Sequence, residues 1–120
     1  MLGSSTWTFL HSAAAYYPDV PTPIQRSSML SLLRALPHVY PCVPCAEALG
    51  EEYARETRAG GWAEEKLTLE SAVKDRRSLA RWLCGIHNEV NERLGKQKFD
   101  CGAENLDRRW KDGPEDGSCD

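Results

Sequence analysis

The chain has 120 residues, of which 41% are hydrophobic and 28% charged, and a formal net charge of −3. That length suits one domain with a real but modest core, and the balance is that of a soluble globular protein. No basic block argues for nucleic acid, and no apolar run reaches membrane-spanning length.

Met1-Leu-Gly-Ser-Ser-Thr has neither the basic region nor the apolar stretch of a signal peptide. Helical pattern begins almost at once, which suggests that a natural N-terminal arm has been trimmed. Trp7, Leu10, His11 and Ala14 fall at helical spacing, and Ala13-Ala14-Ala15 would let another helix approach closely. Pro18 and Pro21 end this first element. Thr22-Pro23-Ile24-Gln25 has the form of a capping box with proline at the first helical position. The helix it opens carries Met29, Leu32, Leu33 and Leu36 on one face, and Pro37 is expected to stop it.

A third helix is expected from about Pro41-Cys42 through Ala46, Leu49 and Tyr53, broken after Arg58 by Gly60-Gly61. Residues 60–77 are the least regular stretch and read as a solvated surface connection with at most a short helical turn. A fourth helix runs from Asp75 or Ser78 to Leu94, with Gly95 as its C-terminal cap. Glu104 to Trp110 suits a short fifth helix, and Lys111-Asp-Gly-Pro-Glu-Asp-Gly begins a polar, turn-rich tail. No β-alternation is strong enough for a sheet. The expected fold is all-α, an antiparallel four-helix bundle plus a short fifth helix.

The fourth helix is the most informative element. Leu79, Trp82, Leu83, Ile86 and Val90 form an apolar stripe, while Cys84, His87, Asn88 and Asn91 share a second, polar face at i, i+3, i+4 and i+7. Buried polar side chains on one face are costly without partners. A flavin or nucleotide, flat and rich in acceptors, would satisfy them. Cysteine usage points the same way. There are five cysteines. Cys42-Val-Pro-Cys45 is a CxxC at a helix start, where the dipole and free N–H groups favour thiolate. The same spacing serves zinc, but zinc needs two more ligands, for which Cys84 with His87 or Cys101 are the candidates. Cys84 and Cys101 also suit a structural disulfide, which implies an oxidising compartment. Cys119 stands alone.

Several motifs together resemble one family. Trp7-Thr-Phe-Leu10-His11, Tyr16-Tyr17-Pro18, Tyr40-Pro41-Cys42-Val-Pro-Cys45-Ala46 and Trp82-Leu-Cys84-Gly-Ile-His87-Asn88-Glu-Val-Asn91 resemble the Erv-type FAD-linked sulfhydryl oxidases. Leu94-Gly95-Lys96, Phe99-Asp100-Cys101 and Arg109-Trp110 extend the match, and the tail around Cys119 looks like that of the animal mitochondrial member. The resemblance implies a helical bundle enclosing FAD, usually as a homodimer. It implies an FAD-binding domain over residues 1–111 and a polar tail over 112–120. It makes Cys42 and Cys45 the catalytic pair, Cys42 being attacked by the incoming thiolate and Cys45 lying against the flavin. It places FAD contacts at Trp7, His11, Tyr40, Cys84, His87, Asn88, Val90, Asn91, Leu94, Lys96 and Trp110, and also at Gly3, Thr6 and Arg109. It makes Cys84–Cys101 a structural disulfide and gives Cys119 an intermolecular one.

The implied activity is oxidation of protein dithiols, with electrons passing through the CxxC and FAD to oxygen or cytochrome c. The implied location is the mitochondrial intermembrane space, with that compartment's import oxidoreductase as client; secretory and viral relatives give the alternatives. Metal and nucleic acid are not expected. Three departures stand out: the sequence has no second, shuttle cysteine pair, its N-terminal stretch has no cysteine to receive the bridge from Cys119 (either the arm was removed or this member lacks the bridge), and the stretch between Cys45 and Cys84 is longer than in the animal relative. The competing functions are a non-enzymatic helical module held by disulfides or zinc, and a degenerate oxidase that keeps FAD but handles only small thiols.

Overall fold

The computed structural model describes residues 2–59, 68–102, 106, 109 and 110. Five helices follow in order: α1 (Leu2–Ala15), α2 (Pro23–Val39), α3 (Val43–Ala59), α4 (Leu69–Ala72) and α5 (Arg76–Arg93). Among the described residues there is no strand, and no helix is long and apolar enough to cross a membrane.

Helix starts follow their caps. Thr22 and Gln25 exchange the two bonds of a capping box, with Pro23 as the first helical residue of α2. Asp75 caps α5 by accepting from the Ser78 N–H at 2.8 Å. At the other end of α5, Leu94 is the cap and Gly95 takes φ 73°, a conformation open to glycine without a Cβ penalty.

α2 and α3 form an antiparallel hairpin, α1 packs along α5, and α3 touches α5 less extensively. The core is filled by Leu10, Ala14 and Tyr17 from the α1 end, Leu33 from α2, and Leu79, Trp82, Leu83 and Ile86 from α5. Met29, Leu30, Leu36, Leu49 and Tyr53 pack against it. The far end of α1 is pinned to the start of α5: the Tyr17 hydroxyl donates to the Val73 carbonyl at 2.8 Å, and Arg76 Nε donates to the Tyr17 carbonyl at 2.6 Å.

Three expectations change. Pro37 does not stop α2, which continues to Val39. The N–H that Pro37 lacks would have met the Leu33 carbonyl, and the Tyr53 hydroxyl of α3 donates there instead at 3.0 Å. Leu32 is exposed, and Leu30 takes its place against the core. Part of the 60–77 stretch is core rather than solvated loop: Thr68 and Ser71 form a second capping box that opens α4, and Leu69, Ala72 and Val73 are buried. Residues 60–67 lie outside the described set. Of the expected fifth helix at 104–110, Leu106 is described as helical and buried, its N–H bonded to the Gly102 carbonyl.

Candidate functional site

Cys42 immediately precedes α3 and Cys45 is its third residue, so both sulfurs sit at a helix N-terminus. They form a disulfide with Cα atoms 5.2 Å apart. The Tyr40 hydroxyl, at the C-cap of α2, is 3.0 Å from Thr6 Oγ1, which ties the cysteine loop to α1. The Cys42–Cys45 disulfide forms part of the wall of a cleft of about 560 Å³. The rest of the wall comes from α1, the C-terminal end of α2, Leu49 and Glu52 of α3, the C-terminal half of α5 with Leu94 and Lys96 after it, and the Arg109-Trp110 segment.

Eleven of the fourteen expected cofactor contacts line this cleft: Gly3, Thr6, Trp7, Tyr40, His87, Val90, Asn91, Leu94, Lys96, Arg109 and Trp110. The remaining His11, Cys84 and Asn88 line an adjoining cleft of about 450 Å³ that shares His87, Asn91, Arg109 and Trp110 with the first. Cys119 and the 112–120 tail lie outside the described residues.

Between the two clefts stands an aromatic stack. The rings of Trp7 and His87 are 4.0 Å apart and nearly parallel, and those of His11 and Trp110 are 4.5 Å apart. His11 Nε2 and His87 Nδ1 are 2.9 Å apart, so one ring donates its N–H to the other. Burial, then His87 and Arg109 nearby, push the pKa of His11 down to about 3. Burial, then Lys96 and Arg109, push that of His87 down to about 4. Both imidazoles are therefore neutral at pH 7, and the stack is a flat, uncharged surface. The Arg109 guanidinium lies 4.1 Å from the Trp110 ring, and Lys96 stands exposed at the rim. An uncharged aromatic floor, a disulfide in the wall and two rim cations suit a flat heteroaromatic ring carrying an anionic group.

The polar stripe of α5 divides by partner. His87 and Asn91 face the cleft. Cys84, 2% exposed, is bonded to Cys101 with Cα atoms 5.8 Å apart, which joins α5 to the extended segment after Gly95. Asn88 spends both ends of its amide on that segment: Oδ1 accepts from the Phe99 N–H at 2.8 Å and Nδ2 donates to the Phe99 carbonyl at 2.9 Å.

Ser4, Thr8, Leu10, Leu36, Leu49, Glu52 and Arg93 also line the cleft; Leu10, Leu36 and Leu49 were read as helix-face residues, and none of the seven was given a site role. Leu49 and Glu52 follow Cys45 at i+4 and i+7, and Arg93 follows Val90 at i+3, so the helical period carried the signal. Thr8 had no such marker.

A profile described as the Erv1/Alr family matches residues 4–111. The mitochondrial FAD-linked sulfhydryl oxidase ERV1 of Saccharomyces cerevisiae is 43% identical over 112 residues, covering 93% of this chain and 51% of the relative. The mitochondrial FAD-linked sulfhydryl oxidase erv1 of Schizosaccharomyces pombe is 44% identical over 103 residues, covering 83% of this chain and 49% of the relative. The chain thus spans about half the length of these curated relatives. The crystal structure of the FAD binding domain of Saccharomyces cerevisiae Erv1 superposes with a TM-score of 0.74 at 43% identity, covering 95% of this chain and 94% of that one.

Proposed function

The chain belongs to the Erv1/Alr family, and from that premise we propose that it is an FAD-dependent thiol oxidase that makes disulfides in protein dithiols through Cys42–Cys45. The observation that carries this reading is the redox-capable CxxC disulfide in the wall of the same cleft as the uncharged aromatic stack and the rim cations. The residues present fit FAD: the Trp7–His87 and His11–Trp110 stacks offer flat contact, Asn91 offers hydrogen bonds, and Lys96 and Arg109 offer charge to a diphosphate. FAD bound there would supply the two-electron acceptor that returns Cys42 and Cys45 to the disulfide, and would pass the electrons to oxygen or cytochrome c.

The chain's own part is thiol–disulfide exchange. A substrate thiolate attacks Cys42 Sγ, the Cys42–Cys45 bond breaks, and Cys45 leaves as a thiolate. The substrate's second thiolate then attacks its own sulfur in the mixed disulfide and releases Cys42. The substrate dithiol has become a disulfide and the enzyme disulfide a dithiol, so two electrons have moved onto the protein. Free N–H groups at the start of α3 stabilise the departing thiolates. The neutral histidines bring no further positive charge to the wall. Cys84–Cys101 takes no part in turnover; it holds the segment bearing Lys96 against α5.

The proposed location is the mitochondrial intermembrane space, supported by the two yeast relatives named as mitochondrial enzymes. The proposed client is that compartment's import oxidoreductase. The proposed homodimer would cover the outer face of α1, where Phe9 is exposed, together with exposed Tyr16 just past the helix.

The test is the absorbance spectrum of the purified protein, followed by oxygen uptake with a dithiol. A flavin band near about 450 nm is expected, with uptake abolished by Cys45→Ser. A folded but colourless protein overturns the reading.

A further inference from the structure

Glu52 is 1% exposed, and its Oε1 accepts from Arg93 Nε at 3.1 Å. Arg93, by contrast, has a side chain that is 44% exposed, so the pair runs from the interior to the rim. Both residues line the cleft, one on the α3 wall and one on the α5 wall. The exchange chemistry uses neither.

Stability alone is a poor reason for such a pair. Taking a carboxylate out of water is costly, and a well-packed apolar pair in the same place is often as stable or more so. What a buried pair of opposite charges does supply is a fixed geometry between the elements that carry it. Here those elements need fixing. α3 rests mainly on α2 and meets α5 over a smaller surface. Cys45 and Glu52 lie on the same face of α3, two helical turns apart, so anything that slides or tilts α3 at Glu52 moves the disulfide with it. Arg93 in turn ends the α5 stretch that presents His87, Val90 and Asn91 to the cleft.

We propose that the Glu52–Arg93 pair is a cross-brace that sets the separation of the α3 and α5 walls, and so the distance between the Cys42–Cys45 disulfide and the cofactor held on α5. Both are positioning residues. The proposal rests on the flavin thiol-oxidase reading and adds what holds its two halves in register. An error of about 1 Å between reacting partners can cost up to about a hundredfold in rate.

The test uses the purified protein with its native flavin, and the variants Glu52→Gln, Arg93→Gln and their combination. Glu52→Gln is close in shape and removes the negative charge that makes the contact an ion pair, so the brace is weakened while the packing is kept. Anaerobic bleaching of the flavin by excess dithiothreitol is followed beside flavin content per chain and melting temperature. Each single variant is expected to slow bleaching about tenfold or more, measured per bound flavin. The double variant should be no slower than the slower single, because the two changes remove one interaction. Non-cysteine spin labels at Glu51 on α3 and Glu92 on α5 give a reading independent of flavin chemistry: their distance distribution should shift or broaden in each variant. Unchanged bleaching per flavin with an unchanged label distance overturns the brace, as does a fall in melting temperature alone. If the wild-type flavin is absent or not bleached, the oxidase reading fails and the assigned role with it, and the label distances then report only whether the pair spaces the walls.

Discussion

At the residue scale, the histidine pair makes stability depend on pH. His11 and His87 both have folded pKa values well below the ordinary 6.5, so the native state keeps them neutral. As pH falls through 6.5 the unfolded chain takes up protons that the fold refuses until about pH 4 for His87 and about 3 for His11. This contribution is therefore fully present above 6.5 and is lost progressively toward pH 4 for His87 and pH 3 for His11, at no more than about 1.4 kcal/mol per pH unit for His11 and less for His87, whose exposure screens it. His11, the deeper of the two, should carry more of it than half-buried His87. Urea unfolding between pH 7 and pH 5, above the range where carboxylates titrate, should show a falling midpoint that flattens in His11→Phe; a flat wild-type profile rules this out. The same residues show how far a sequence can be read. Spacing put Cys84, His87, Asn88 and Asn91 on one face, and that is where they lie. Spacing says nothing of the partner: Asn88 turns to the Phe99 backbone, because the segment after Gly95 runs back along α5.

At the element scale, starts were legible and ends less so. Caps are local chemistry, and Thr22-Pro23-Ile24-Gln25 is complete within one turn. A proline's effect depends on what lies across from it. Pro37 lies inside α2 because the Tyr53 hydroxyl of α3, which is distant in sequence, serves the Leu33 carbonyl. Tyr53→Phe should then cost about 1 kcal/mol, the usual penalty for stranding a buried acceptor. Adding Pro37→Ala to that variant should recover much of the loss, since alanine at that position restores the N–H that bonds the Leu33 carbonyl. Denaturant unfolding of the two variants decides it: no recovery in the double variant would mean that the hydroxyl is not standing in for the missing donor. The short turn that became α4 was allowed for, but its burial was missed for a related reason. Its apolar residues, Leu69, Ala72 and Val73, are too few to set a period, and only the rest of the core gives them a place.

At the scale of the whole molecule, the all-α architecture was readable because four long amphipathic segments with short links have few ways to pack. The cleft was readable only through the resemblance, since it is made from four separate helices, the residues that flank them and the Arg109-Trp110 segment. A ligand that touches all of these should stabilise the entire fold. With FAD at about a hundred times its dissociation constant, the gain is about 2.7 kcal/mol. Protein stripped of flavin should therefore melt several degrees lower, and added FAD should restore the melting temperature; an equal melting temperature with and without FAD would contradict a site that spans the helices.

The bonds that Tyr17 makes with Val73 and Arg76 have a mechanical meaning. They join α1 and α5 at the end remote from the cleft, while the Trp7–His87 stack and the His11–His87 hydrogen bond join the same two helices at the cleft itself. The pair is thus riveted at both ends, and the aromatic floor between the rivets behaves as one plate.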